Sequence, residues 1–283
     1  MALPRVVLRH RSLLWQMTRR NIETRYKGSI LGLVWSFVHP LMMLCVYTFV
    51  FSWLMGAKWG IEGSDWGLDV ANSKTAFAII MLAGLAVFNL FSESVEGNES
   101  VVTGSPNLVK KVIFPLEVLP LAQVLSSFVL GLAWVVILLV GVASFFGRFS
   151  LTMLLLPVVW LPLFLLTLGF SYLVAALGVY LRDTAQIVAI VVQLMFWAVP
   201  IVYPIKLLHD KMAELTPATA CALTWLVERN PLSITVEQTR QVFLFGQMPD
   251  WATYGFVLAV SAAILQLGLF FFIRTKRGFA DVL

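Results

Sequence analysis

Apolar positions in this chain come in long uninterrupted runs, not in the alternating rhythm of a half-buried strand. A helix needs roughly 20 apolar residues to cross the hydrocarbon core of a bilayer. Six segments meet or approach that length: Leu31–Met55, Thr75–Phe91, Val118–Phe146, Thr152–Leu181, Ala185–Pro204 and Thr253–Ile273. None of them contains Asp, Glu, Lys or Arg. The pattern predicts an all-α integral membrane protein with six transmembrane helices. There is no internal repeat and no low-complexity tract.

The segments between these runs have patterns of their own. Residues 1–29 divide from the membrane domain, 30–283, as a basic amphipathic helix. Gln16, Arg19, Arg20, Glu23 and Lys27 fall on one face, Trp15, Ile22 and Tyr26 on the other, with Leu14 and Met17 at its edge. Such a helix beside a span is expected to lie in the membrane interface; a simple topological anchor would look the same. The loop after the second run is longer than a turn requires. It carries Glu93, Glu96, Asn98 and Glu99, a break at Gly104-Ser105-Pro106, then Asn107, Lys110 and Lys111. It reads either as a solvated loop or as a contact surface for a partner. Between the fifth and sixth runs, Leu215–Val227 is too short for a span and suits a re-entrant or interfacial helix. Asn230-Pro231 breaks the chain before a second amphipathic stretch ending at Pro249-Asp250. Two short re-entrant helices are expected there.

Composition narrows the class. Of 283 residues 60% are hydrophobic and 12% charged, where soluble domains carry about 25% charged residues. That excludes a soluble globular enzyme, a disordered chain and a nucleic-acid-binding module. The net charge of +5 matters through its placement, because Lys and Arg collect on the cytoplasmic side. Seven basic residues precede the first span, and only Lys58 and Lys74 stand between it and the second. With six spans both termini are then cytoplasmic, and Arg274, Lys276 and Arg277 agree. The first run lacks a small-residue cleavage pattern and reads as a span, not a removed signal peptide. Cys45 and Cys221 form neither a disulfide framework nor a metal-ligand pair.

Several chemistries are missing from the sequence. No Gly is followed by Lys, so a phosphate loop ending in Gly-Lys-Ser/Thr does not occur. Spans without ionisable carboxylates or bases offer no proton relay or charge-ring filter. No His-x-x-x-His pair or Gly-x-Ser-x-Gly elbow occurs. His39, beside Pro40 in the first span, reads as a histidine bonded to a neighbouring carbonyl or as a gate. What the spans do carry is aromatic and mildly polar: Trp35, Phe37, Tyr47, Phe88, Asn89, Phe196, Trp197 and Tyr203 are the channel-lining candidates. Aromatic faces stack on sugar rings, and amides and hydroxyls pair with sugar hydroxyls, so a neutral path of this kind suits a glycan. Lipid-facing packing and interface belts are the plainer reading of any one of them.

Arg25-Tyr26-Lys27-Gly28-Ser29-Ile30-Leu31-Gly32-Leu33-Val34-Trp35, followed by His39-Pro40-Leu41, resembles the N-terminal signature of bacterial polysaccharide-export permeases. These are type 2 ABC exporters, and the similarity is greatest to the O-antigen and teichoic acid branch. Asn107-Leu108-Val109-Lys110-Lys111-Val112-Ile113-Phe114-Pro115 is similar to that family's loop after span two, and Tyr180-Leu181-Arg182-Asp183 to its loop between spans four and five. Asn230-Pro231-Leu232 and Arg277-Gly278-Phe279-Ala280-Asp281 also fit. Each motif is weak alone; in order along nearly the whole chain they are specific. Capsule-type permeases are similar but usually differ after the first Arg.

The resemblance implies a homodimer of six-span subunits in the bacterial inner membrane, bound to two copies of a cytoplasmic ATP-binding subunit. ATP and Mg would be held by that subunit; the chain itself would carry no cofactor and catalyse nothing. It also implies a glycan polymer on a polyprenyl pyrophosphate lipid as substrate. Glu96, Asn98, Glu99, Asn107, Lys110, Lys111, Arg182 and Asp183 become candidates for contact with the ATPase. Arg19, Arg20, Arg25 and Lys27 form a basic patch suited to the pyrophosphate, although topology alone also explains them. Gly28 and Gly32 make a small-xxx-small pair suited to close helix approach or to ordinary packing. The alternatives are a type 2 ABC permease for another substrate (capsular polysaccharide, teichoic acid, lipid or drug), a self-sufficient channel, and a membrane-embedded transferase.

Overall fold

The computed structural model describes residues 7–56, 59, 73–110, 114–147, 149–212 and 216–283. Among these residues all regular structure is helical. Helix α1 spans Arg11–Arg25. A turn through Gly28 leads to a short 3-10 turn at Gly32–Val34, α2 at Trp35–Tyr47, and a π-helix over Thr48–Leu54. Helix α3 runs Lys74–Glu96, α4 Pro106–Val109, α5 Val118–Phe146 and α6 Leu156–Tyr180. Then come α7 at Thr184–Ala198, α8 at Ile205–Met212, α9 at Pro217–Val227 and α10 at Pro231–Phe243. Helix α11 spans Trp251–Thr275 and α12 Phe279–Val282.

Local chemistry sets many of these limits. Ser73 caps α3 by accepting from the Ala76 N–H, Asn230 caps α10 through the Leu232 N–H, and Asp250 caps α11 through the Ala252 N–H. Gly147, with φ 60°, closes α5 in the left-handed conformation that glycine adopts freely. Pro200 pushes Val199 into an extended conformation, so α7 stops at Ala198.

Among the described residues, five helical segments are long and apolar enough to cross a membrane: Gly32–Leu54, Lys74–Glu96, Val118–Phe146, Leu151–Tyr180 and Trp251–Val282. The expected fifth span is the exception. Its helix has 15 residues, and at 1.5 Å per residue that falls short of the roughly 30 Å hydrocarbon core. The two short helices expected before the last span occur as α9 and α10; α8 was not foreseen.

Helix α3 is the hub. In its most apolar stretch 83% of residues are buried, against 6% for 32–54. It packs on α5, α6, α7 and α10, while α6 and α11 form the most extensive helix pair. The described residues form two apolar clusters. One joins Leu14 of α1, Val118 and Leu119 of α5, Tyr172 of α6, Phe272 of α11 and Phe279 of α12; this is called the near end. The other runs along α3 from Ala76 to Val95 and reaches, at the far end, Phe77 and Ile80 of α3, Trp160 of α6, Ile201 after α7, and Val236 and Phe243 of α10. Leu14 and Phe279 share the near cluster, so both chain ends described lie at one end of the bundle. The ending Arg277-Gly278-Phe279 has a structural cause: Phe279 is fully buried against Tyr180 and Phe272. Lys276 pairs there with Glu117 at the start of α5.

Candidate functional site

Helix α1 lies along α5 at the near end, but on a different stripe from either face drawn from the sequence. Leu14 and Thr18 are buried, and the Asn21 amide donates to Gln123 of α5 at 3.2 Å. Trp15 remains 65% exposed. The protein-facing stripe therefore follows positions 14, 18, 21 and 25, with Trp15, Ile22 and Tyr26 along one flank and Arg19, Arg20 and Glu23 on the face turned away from α5. An interface helix has this geometry: packed on one side, apolar along a flank and charged on the outer face.

The stripe ends in an ion pair. Arg25 donates to Glu93 of α3 at 2.9 Å, and both side chains are partly exposed, so the pair itself contributes no more than about 1 kcal/mol. Its position matters more. A cleft of about 250 Å³ lies on one side, lined by Arg25, Tyr26, Trp35, Ser36, His39 and Glu93 with α5 behind them. A second of about 460 Å³ lies on the other, lined by Asn21, Thr24, Arg25, Glu93, Glu96 and Gln123. The Arg25–Glu93 pair is thus a bar between two polar clefts. Burial pushes the Tyr26 phenol above its ordinary range, with Arg25 lowering it and Glu93 raising it. His39 is exposed on the wall of the first cleft and has no hydrogen-bond partner among the described residues.

The four basic candidates for phosphate differ in state. Arg25 is held by Glu93, and Arg19 by Glu23 at 2.7 Å. Arg20 and Lys27 are exposed. Gly28 and Gly32 do not form a close helix contact. They have φ of 86° and 51° with open space where a side chain would be; both serve the turn between α1 and α2.

The loop candidates also separate. Asn98 is fully buried, its amide donating to the Ser94 carbonyl, so it is withdrawn as a contact for a separate subunit. The Glu99 carbonyl presses on Gly178 of α6 so closely that a side chain there would collide with it. This pins the loop to α6. Asn107, Lys110, Arg182 and Asp183 are exposed, and Glu96 and Glu99 are half-buried. Lys111 lies outside the described residues.

Of the aromatic candidates, five gather towards the far half. Tyr47 stacks on Phe196 at 5.7 Å, Phe88 meets Phe196 edge-on at 5.2 Å, and Phe196 meets Trp197 at 5.3 Å. The Tyr203 hydroxyl donates to the Trp197 carbonyl. Phe88 is nearly buried and supports the cluster; Trp197 is its exposed member. Asn89 turns its amide to the Leu85 carbonyl. Trp35 and Phe37 are exposed near the start of α2, and Trp35 borders the near cleft.

One residue escaped the sequence reading altogether. Arg240 of α10 is completely buried and donates to the carbonyls of Ile80, Pro200 and Ile201 and to Glu237. Its guanidinium also lies over Trp59, 4.5 Å from the ring centroid. It clamps the non-helical segment after α7 to α3 and α10.

The family described as ABC-2 type transporter matches residues 12–244, the stretch from α1 through α10. The chain belongs to the ABC-2 type transporter family. The match takes in both near-end clefts, the aromatic cluster and the Arg240 clamp of this ABC-2 chain. A Myxococcus xanthus protein named O-antigen export system permease protein RfbA is 29% identical over 283 residues, covering 99% of this chain and 98% of its own. Two Klebsiella pneumoniae proteins of the same name are each 24% identical, covering 96% of this chain and 95% of their own.

Proposed function

We propose that this chain is the permease subunit for export of an O-antigen-like polysaccharide carried on a polyprenyl pyrophosphate lipid. Two copies would form the channel in the bacterial inner membrane, with both termini cytoplasmic. Two copies of a separate ATP-binding subunit would drive it, since the sequence has no phosphate loop of its own. The observation that carries the substrate class is the end-to-end similarity to relatives named for O-antigen export. The chain passes from Tyr180 at the near end, bonded to Thr275, to Ile201 beside Ile80 in the far half. That passage supports a sixth crossing, made by α7 together with the segment Arg240 holds. The exposed Asn107, Lys110, Arg182 and Asp183, with the half-buried Glu96 and Glu99, make the near end the docking side for the ATP-binding subunit. The aromatic surface around Trp197 is the sugar-facing wall.

In this reading Arg25 must leave Glu93 to meet the pyrophosphate. The test is export from vesicles holding the permease, its ATP-binding subunit and a lipid-linked glycan, with a hydrolysis-dead ATPase as control. ATP-dependent glycan on the far side is the expected result; conductance or glycosyl transfer without any ATPase would favour the channel or enzyme readings. Arg25→Gln should lower export about tenfold at limiting substrate, the worth of one charge-assisted hydrogen bond. Glu93→Gln should raise it, because the competing carboxylate is gone. Equal export by all three proteins would leave the ion pair a purely structural tie.

A further inference from the structure

The far half of the bundle holds a groove of about 610 Å³ that the export reading does not use. It runs between the end of the first span, the start of α3 and the end of α5. Phe49 and Trp53 of the π-helix, Gly141 and Phe145 form its apolar walls. The π-helix widens the span locally, as such segments often do at functional positions. Phe49 and Trp53 stack at 5.1 Å with their planes 15° apart, which makes one continuous flat wall.

The groove is reached from the hydrocarbon. The span that walls it is 6% buried in its apolar stretch, so this side opens onto whatever surrounds the helices. Polar groups break the apolar lining at one end. Lys74, at the first turn of α3, stands there and has no ion-pair or hydrogen-bond partner among the described residues. Thr75 beside it and Ser144 near the end of α5 add hydroxyls to the same lining. A long apolar slot with an unused cation and hydroxyls at its interfacial end complements one kind of molecule. That molecule has a hydrocarbon chain, ester oxygens and an anionic head.

We propose that this groove binds a phospholipid with an anionic headgroup, its acyl chain between α2 and α5 and its phosphate on Lys74. Such a site couples the first span to the lipid around it.

The test uses the full chain in vesicles doped with phospholipid brominated on its acyl chains, as either phosphatidylglycerol or phosphatidylcholine. Quenching of Trp53 is taken as the difference between the unaltered protein and Trp53→Phe. At equal mole fraction the phosphatidylglycerol form should occupy the groove about fivefold more strongly, the contribution of one basic side chain at a membrane surface. Lys74→Gln should abolish that preference, while Gly141→Leu should reduce quenching by both lipids. Equal quenching by the two lipids in the unaltered protein would mean bulk contact only. No quenching by either would mean that a second copy covers the groove. Displacement of phosphatidylglycerol by a few equivalents of polyprenyl phosphate would assign it to the transported lipid. Each of these three results overturns the proposal.

Discussion

Arg240→Lys should destabilise the protein nearly as much as Arg240→Ala. The loss expected for either is about 3–5 kcal/mol, the range for breaking a buried, fully paired charge. Arg240 is buried to the last atom, and its fork reaches the carbonyls of Pro200 at 2.8 Å, Ile201 at 3.0 Å and Ile80 at 3.2 Å, plus Glu237 at 2.5 Å. Pro200 ends α7 and leaves carbonyls that no helix can satisfy. Within a bilayer such backbone is tolerated only where protein or water covers it. Arg240 provides that cover from a helix nearly forty residues away. Lysine keeps the charge but has one ammonium where arginine has a planar fork, and it cannot lie flat over Trp59. Chaotrope unfolding of the detergent-solubilised protein measures the effect. A Lys variant within about 1 kcal/mol of the unaltered protein would show that charge alone suffices. Glu237→Gln should cost less, because Glu237 is 31% exposed and water can replace part of the pair. A side chain at Gly84 would come within 2.9 Å of the Arg240 guanidinium. Gly84→Ala and Arg240→Lys should therefore combine non-additively, as substitutions at one contact do.

This clamp was invisible in the sequence for a physical reason. Its partners lie 160, 40 and 39 residues away, and a lone Arg in a polar-looking stretch carries no local sign of burial. Features with local causes were legible. The boundaries of α5 match expectation because Pro115 precedes the helix and Gly147 turns it off. Helix α3 runs past Phe91 to Glu96, since its last turn can carry charge once it emerges at the near end and Glu93 meets Arg25. The shortened α7 was half legible: Pro200 stood in the sequence, but the run of apolar residues outweighed it. The packing stripe of α1 was not legible because periodicity ranks faces by polarity, whereas packing on α5 selected the small Thr18 and the amide of Asn21. Of the near-end site, the residue types were legible and the pairing was not. Arg25 and Glu93 lie 68 positions apart, and only the fold shows that this cation candidate is held by another helix while Arg20 and Lys27 are exposed.

Glycine spacing gives the last prediction, because the pair it singles out is not where helices approach closely. Gly28 and Gly32 have the small-xxx-small pattern but lie in a turn with nothing near them. The true close approach is between α6 and α11, where a side chain at Gly268 would run into the carbonyl oxygen of Gly169. A side chain at Gly169 would lie 2.7 Å from the Leu265 nitrogen and 2.8 Å from the Ile264 oxygen. These obstacles are backbone on both sides, so no rotamer change relieves them. In a bilayer, helix association rests on packing and on small residues that bring backbones together. Gly268→Val should therefore force the most extensive helix pair in the subunit apart. Overpacking typically costs about 1–3 kcal/mol where side chains can yield, and here the loss should reach or pass the top of that range. Gly255→Ala, on the same helix with open space around it, should be neutral or mildly stabilising, since alanine favours helix over glycine. The same unfolding measurement reads both. If Gly268→Val matched Gly255→Ala, α6 and α11 could not be in backbone contact. The consequences would extend to the near end. Helix α11 delivers Lys276 to Glu117 and Phe279 to Tyr180, so splitting the pair should also loosen the surface assigned to the ATP-binding subunit. Gly268→Val should accordingly weaken capture of that subunit by the solubilised permease, whereas Gly255→Ala should leave it intact.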